Sequence, residues 1–173
     1  MKLIYSIHKY DVFMFTWLVN ARIHAELARF SRYISKTADG PFYLLLATWF
    51  YFQEGPEGIL FQIIAFSFLI ERPAYMLLKN GLKRNRPEAA LKNFRSVITP
   101  SDRFSFPSGH TSAAFMMATL VGYFYPVLLP VFYGWATLVG FSRVVLGVHF
   151  PTDTLVGAAL GIGTAIFSLE YFL

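Results

Sequence analysis

The stretch SRVVLGVHFPTD, residues 142–153, ends one long apolar segment and begins the next. The first segment runs from Pro126 to Val148 and the second from Pro151 to Leu173. Each is long enough for a helix that crosses ~30 Å of hydrocarbon, which takes about 20 residues at 1.5 Å each. Because only His149 and Phe150 separate the two segments, we expect a tight helical hairpin here.

Composition indicates a membrane protein. Hydrophobic residues make up 55% of the 173 residues and charged residues only 14%, which is too apolar for an ordinary soluble domain. No repeat or low-complexity tract divides the sequence, so a single domain covering residues 1–173 is expected. The lack of cysteine excludes disulfides, thiol nucleophiles and thiolate metal sites.

Three further apolar segments complete the predicted bundle. Gly58 to Asn80 is long enough to span, and Ser108 to Tyr125 is slightly shorter but nearly uncharged. Pro41 to Gln53 is roughly two-thirds of a span, which a thinned bilayer accommodates. We therefore predict an all-α polytopic membrane bundle of about five transmembrane helices within residues 40–173.

The first 39 residues have a different pattern. From Ala21 to Ser35, apolar side chains recur every three or four residues with charged side chains between them, which predicts an amphipathic helix on the membrane surface. The apolar positions are Ile23, Leu27, Phe30 and Ile34. A sixth span from Val12 to Phe30 is the alternative, but it would place three charged side chains in hydrocarbon at high cost.

Net charge is concentrated in one loop. Between Lys79 and Arg103 lie seven basic and two acidic residues, whereas the remaining eight bases and eight acids cancel. This loop favours an anionic ligand or an anionic membrane surface as its partner. Nucleic acid is a poorer partner because the loop offers few aromatic side chains for stacking. Taken alone, the positive-inside rule would place this face in the cytoplasm, unless its bases bind ligand.

His149 and Asp153 stand four residues apart across Pro151, and proline is a favoured first residue of a helix. A carboxylate that accepts one imidazole N–H fixes the tautomer and leaves the other nitrogen unprotonated, as a nucleophile for phosphorus requires. The alternative is an interfacial histidine beside an acid that satisfies the helix dipole.

The sequence PSGH, residues 107–110, opens another predicted span. Ser108 is a natural N-cap, and Gly109 lets a ligand approach a helix N-terminus, where unpaired N–H groups attract a phosphoryl oxygen. His110 is placed to protonate the leaving oxygen as a general acid. Simple helix capping explains Ser108 and Gly109 but leaves His110 unexplained.

Basic side chains flank these helix ends. Lys79 and Arg86 lie where one predicted span ends, and Arg143 lies near the end of another. Guanidinium groups bind phosphate oxygens in pairs and stabilise the charge of a pentacoordinate transition state. Other bases of the loop are expected to snorkel at the interface, namely Lys83, Arg84 and Lys92.

Arg72 lies inside a predicted span, between Glu71 and Pro73. It precedes Lys79 by two helical turns, ~10 Å deeper on nearly the same face. From there it could meet a second phosphate or a glycerol headgroup. An ion pair inside the bundle explains Arg72 equally well. Because charged residues within a span are also typical of transporters, a transport function is a further alternative.

Together, Lys79-x6-Arg86-Pro87, PSGH and Ser142-Arg143-x5-His149-x3-Asp153 resemble the three-part signature of the type 2 phosphatidic acid phosphatase family, in the same order. Its superfamily also contains the vanadium haloperoxidases and glucose-6-phosphatase. The resemblance covers roughly residues 41–173, and no position of the signature is missing.

The resemblance implies hydrolysis of a phosphomonoester or pyrophosphate through a phosphohistidine, without a metal or other cofactor. His149 would be the nucleophile, Asp153 its orienting partner, and His110 the general acid that later assists the attacking water. The residues implied to hold the phosphate are Lys79, Arg86, Ser108, Gly109 and Arg143. Asp153 is the only carboxylate expected at the site, and vanadate and tungstate are expected to bind as phosphate mimics.

The implied substrate is a membrane lipid phosphate. Small bacterial members act on undecaprenyl pyrophosphate, phosphatidylglycerol phosphate, phosphatidic acid or lipid A phosphate. Many undecaprenyl pyrophosphatases have aspartate where this chain has Gly109 and lack a lysine matching Lys79, which favours a general lipid phosphatase here. The family also implies a bacterial inner membrane, with the site facing the periplasm or cell exterior. Alternatives are a lipid A phosphatase and a non-enzymatic protein that binds anionic lipids.

Overall fold

The computed structural model describes the backbone of residues 2–173 and the side chains of residues 8–53 and 55–173. This part of the chain is helical, with no β-structure beyond an isolated bridge between Asn85 and Phe104. Its helices are α1 Lys2–Val19, α2 His24–Lys36, α3 Gly40–Glu54, α4 Ile59–Leu82, α5 Pro87–Ala90, α6 Gly109–Phe124, α7 Leu129–Val145 and α8 Pro151–Phe172. A short 3₁₀ turn, Pro126–Leu128, leads into α7.

Helices occupy all five segments for which membrane crossing was predicted. Three of them are long and apolar enough to cross a membrane, namely Ile59–Leu82, Pro126–Val145 with its leading 3₁₀ turn, and Pro151–Phe172. Helices α3 and α6 have 15 and 16 residues, so they are only ~22–24 Å long at 1.5 Å per residue. The chain is thus an all-helical membrane protein, and a count of five spans remains a prediction.

Local sequence explains where the helices of the site begin. Ser108 caps α6, because its hydroxyl accepts a hydrogen bond from the backbone N–H of Thr111. Helix α8 begins at Pro151, as predicted, and the carboxylate of Asp153 accepts the N–H of Phe150 at 2.8 Å. Gly147 supplies the left-handed turn between α7 and α8, with φ of 77°.

Helix α6 lies at the centre of the bundle, against α4, α7 and α8. Its contact with α8 is unusually close because glycines replace side chains on α8. A Cβ atom on Gly161 would lie 2.0 Å from the carbonyl oxygen of Ser112, and one on Gly157 would lie 2.5 Å from that of Ser108. The two helices therefore meet backbone to backbone, which fixes the relative position of their N-terminal ends.

The N-terminal region forms two helices joined by a turn at residues 20–23, so residues 12–30 do not make one continuous span. Helix α2 packs on α7 with the small residues Ala28, Ser31 and Ser35. Ile23, just before α2, and Phe30 within it are two of the predicted apolar positions, and both are exposed. Leu27 and Ile34 are half-buried, and Ile34 packs against the core, so the predicted apolar face is divided between the bundle and the surface.

Candidate active site

The ends of α4, α6, α7 and α8 meet at one end of the bundle, together with the start of α3. A cavity of about 570 Å³ lies between them. Six residues singled out by the sequence line it, namely Lys79, Arg86, Gly109, His110, Arg143 and His149. Arg72 also lines it, whereas Ser108 and Asp153 lie behind its wall, fully buried. The three motifs are therefore brought together in space.

His149 is buried in the connection between α7 and α8, with 2% of its surface exposed. Its Nε2 lies 3.4 Å from a guanidinium nitrogen of Arg86, which also donates to the carbonyl of Val148 at 2.6 Å. Burial lowers the pKa of His149 to about 3, although the carboxylate of Asp153 opposes this shift. The imidazole is consequently neutral near pH 7, the state a nucleophile requires.

Asp153 lies beside His149 but does not hydrogen-bond to it in this geometry. Its Oδ2 is 3.7 Å from Nδ1 of His149, and that nitrogen is buried without a hydrogen-bond partner. Oδ2 instead caps α8 through the N–H of Phe150. The geometry is thus compatible with both interpretations of Asp153. It caps the start of α8, and its carboxylate also lies next to Nδ1 of His149, the nitrogen whose proton it would orient.

Arg84 is a residue that the sequence analysis misassigned. It was expected to snorkel, yet its guanidinium donates to Asp153 Oδ1 at 2.7 Å, to the Thr152 hydroxyl at 2.8 Å and to Asp11 Oδ2 at 2.6 Å. It also lies over the ring of Phe150, 4.5 Å from the centroid. Arg84 therefore anchors the carboxylate beside the nucleophile, whereas Lys83 and Lys92 are exposed.

Lys79 and Arg86 share one acceptor, Asp102. Nζ of Lys79 donates to both carboxylate oxygens at 2.8 and 2.9 Å, and Arg86 donates to Oδ1 at 2.6 Å. Burial raises the pKa of Asp102, but the hydrogen bonds from Lys79 and Arg86 outweigh it and hold that pKa below its usual value. The hydroxyl of Tyr75 donates to the same carboxylate at 3.1 Å.

Gly109 makes room for Tyr75. A Cβ atom at this position would lie 3.0 Å from Cε2 of the tyrosine ring. The amide N–H of neighbouring Ser108 donates to the carbonyl of Asp153 at 2.9 Å, which ties the start of α6 to the start of α8. The two motifs are thus joined directly through the backbone.

Residues before α3 complete the surroundings of two site residues. Ser35 of α2 accepts a hydrogen bond from Arg143 at 2.5 Å, and the Nε of that arginine is buried without a partner. Asp39, just before α3, lies 2.9 Å from Nε2 of His110. The expectation of a single carboxylate at the site is wrong, because Asp39 and Asp102 also line the cavity. Among the side chains that the structure describes, no group of three or more histidine, aspartate or glutamate residues is arranged to hold a metal ion.

The model of the PAP2 superfamily matches residues 57–173. Phosphatidylglycerophosphatase B of Bacillus subtilis is 34% identical over 124 residues, which cover 65% of this chain and 57% of that protein. The chain spans about half the length of the curated relatives it matches.

Solved structures have the same architecture. LpxE from Aquifex aeolicus superimposes with a TM-score of 0.82 at 27% identity, covering 92% of this chain and 94% of that one. A transmembrane PAP2 type phosphatidylglycerolphosphate phosphatase from Bacillus subtilis gives a TM-score of 0.78 at 24% identity, covering 96% and 86% of the two chains. The second likeness shows the fold alone.

Proposed function

The chain belongs to the PAP2 superfamily, and we propose that it is an integral-membrane lipid phosphate phosphatase that hydrolyses a phosphomonoester or pyrophosphate through a phosphohistidine, without a metal. One observation carries this proposal. Two histidines and three buried cations, His110, His149, Lys79, Arg86 and Arg143, converge on one cavity at the end of a membrane bundle.

The proposed reaction has two steps. Lys79, Arg86 and Arg143 bind the phosphate oxygens, and Nε2 of His149 attacks phosphorus while the bond to the leaving oxygen breaks. His110 gives that oxygen a proton, so the alcohol or lipid monophosphate leaves with a hydroxyl group and not as an oxyanion. Water then attacks the phosphohistidine, His110 takes a proton from it, and inorganic phosphate departs as His149 is restored.

An apolar extension of the cavity supports a lipid substrate. Beyond the cations, the wall between α3 and α4 is made of Leu44, Ala47, Ile64, Ala65 and Phe68. Leu44 is 69% exposed on the outside of the bundle, so the cavity reaches the surface that faces lipid. An amphiphile can therefore keep its tail in the bilayer while its phosphate reaches the histidines.

We also propose an arrangement of the chain in the membrane. We place residues 40–173 as a five-span catalytic bundle and residues 1–39 as interfacial helices of the same domain. The exposed Ile23 and Phe30 support this placement, since they offer an apolar face to lipid. We also propose a bacterial inner membrane, with the site facing the periplasm or cell exterior, as the family resemblance implies.

Phosphate release by the purified protein in detergent tests the function. We expect turnover of phosphatidylglycerol phosphate, phosphatidic acid or undecaprenyl pyrophosphate that is unchanged by EDTA and inhibited by vanadate and tungstate. Including lipid A 1-phosphate identifies the alternative substrate. Loss of turnover in EDTA with recovery on adding Mg²⁺ would exclude the metal-free mechanism. A folded protein that binds these lipids but releases no phosphate would instead be a non-enzymatic anionic-lipid binder.

Arg72→Gln tests the proposed headgroup contact. The guanidinium lines the cavity, but it also donates to buried Glu71 at 2.6 Å and lies 5.0 Å from the centroid of the Tyr75 ring. If it binds a headgroup, the variant loses activity on only one of a pyrophosphate lipid and a monophosphate lipid, at unchanged melting temperature. Equal losses with a lowered melting temperature would assign Arg72 to the ion pair with Glu71.

A further inference from the structure

We propose that Asp39 is a positioning residue for His110, and that it determines which imidazole nitrogen exchanges protons with the substrate. This inference rests on the proposed function, in which His110 is the general acid. Asp39 lies before α3, outside residues 57–173 that match the family, and no motif of the sequence includes it. It is joined to His110 by the contact between its Oδ1 and Nε2, at 2.9 Å.

The side chain of Asp39 is free to make this contact because it does not cap α3. Asp39 occupies the N-cap position, where an aspartate usually accepts a hydrogen bond from the first turn of the helix. No such bond forms here, and the carboxylate turns towards α6 instead. Asp39 therefore does not perform the capping role that is usual for an aspartate at this position.

The contact selects a tautomer. A carboxylate beside Nε2 keeps a proton on that nitrogen, so the second proton of the imidazolium, on Nδ1, is the one available for transfer. No hydrogen bond to Nδ1 forms among the side chains described, and the ring lines the cavity. After Nδ1 has given its proton to the leaving oxygen, its lone pair is ready to accept a proton from the water of the second step.

Charge balance gives Asp39 a second effect on the same group. Two guanidinium groups from other helices line the same cavity as His110, namely Arg143 of α7 and Arg72 of α4. Both oppose a positive charge on the imidazole, and Asp39 is the carboxylate that counters them at hydrogen-bond distance. An acid catalyst must carry its proton before the reaction, so this carboxylate favours the reactive form.

A purely structural ion pair is the competing explanation, and it predicts a different pattern. The side chain of Asp39 is 51% exposed, and exposed ion pairs contribute little to stability. If the pair only joined the start of α3 to α6, its loss would affect all substrates alike. If it positions the acid, its loss matters most for leaving groups that need protonation.

The test measures kcat and KM of Asp39→Asn with phosphatidic acid and with a nitrophenyl phosphate. Asparagine remains a good N-cap residue, so the start of α3 is preserved. We expect kcat for the lipid to fall at least about tenfold, within the range of general acid effects, while the aryl phosphate changes less than about twofold. KM should stay the same for both, Asp39→Glu should restore part of the lipid rate, and Glu57→Gln, an exposed acid far from the site, should have no effect.

A double-mutant cycle with His110→Ala separates the outcomes. If Asp39 acts through His110, the double variant is no slower than His110→Ala alone. Equal losses on both substrates, or additive losses in the cycle, would overturn the role of Asp39. If His110→Ala itself slows both substrates equally, the assignment of His110 fails instead. Should Asp39→Asn fold poorly, Asp39→Ser, another good cap, is measured against the same criteria.

Discussion

His149→Ala is expected to abolish turnover, with a loss of at least about 10⁴-fold, because the proposed nucleophile is removed and the other imidazole of the cavity, His110, is assigned to proton transfer. Removing the charge of Asp153 in Asp153→Asn is expected to lower the turnover rate less. In Asp153→Asn the amide can still lie beside His149, but it loses the acceptor geometry that favours a proton on Nδ1 and the ion pair with Arg84. We expect a reduced but measurable rate.

The ranking of these two variants is the decisive result, measured as phosphate release at saturating lipid. Acid-labile labelling of wild-type protein by a radioactive phosphate donor, absent from His149→Ala, identifies the covalent intermediate. Lys83→Gln, which alters an exposed base of the same loop, serves as the control and should keep the wild-type rate. A His149→Ala protein with near-normal turnover would require another nucleophile.

Gly161→Ala is expected to destabilise the bundle more than any surface substitution. Its Cβ would lie 2.0 Å from the carbonyl oxygen of Ser112 and 2.9 Å from the amide nitrogen of Met116. Both atoms belong to the backbone of α6, so the helix itself must move away from α8. Overpacking of this kind costs about 1–3 kcal/mol or more of unfolding free energy. Activity should fall as well, because the two helices carry His110 and Asp153.

Gly163→Ala is the matched control for this prediction. It lies two residues further along the same helix, is exposed, and its Cβ would meet no atom within 4 Å. Alanine there should leave the melting temperature unchanged or raise it slightly, since alanine favours helix by about 1 kcal/mol over glycine. Equal melting temperatures for the two variants in detergent would contradict the close packing of α6 on α8.

The helices could be predicted because the relevant information lies in consecutive residues. Long runs of apolar side chains that begin at glycine or proline predict α4, α7 and α8 within a few residues of their observed bounds. The shorter runs also form helices, at α3 and α6. Likewise, the motif residues that line the cavity are recognisable because each motif is local and its order along the chain is informative.

The supporting residues could not be predicted, because their roles depend on contacts between distant segments. Asp11 and Thr152 meet at Arg84, although 141 residues separate the two partners. Asp39 precedes Gly40 and Pro41, and Asp102 follows Pro100 and Ser101, so turn formation alone explains an aspartate at either place. Arg84 did carry a weak signal, since it lies two residues before Arg86 in an extended segment, where side chains two residues apart point to the same side.

If the proposed function holds, Asp102 is expected to influence which anions bind in the site. Its single negative charge already neutralises part of the charge on Lys79 and Arg86, so we expect a lipid phosphate to bind by exchange with this carboxylate. A phosphodiester, with one charge, gains little from that exchange. A phosphomonoester carries between one and two negative charges at neutral pH and gains more. Such an exchange would favour scarce monoesters over the diesters that make up most of a bilayer.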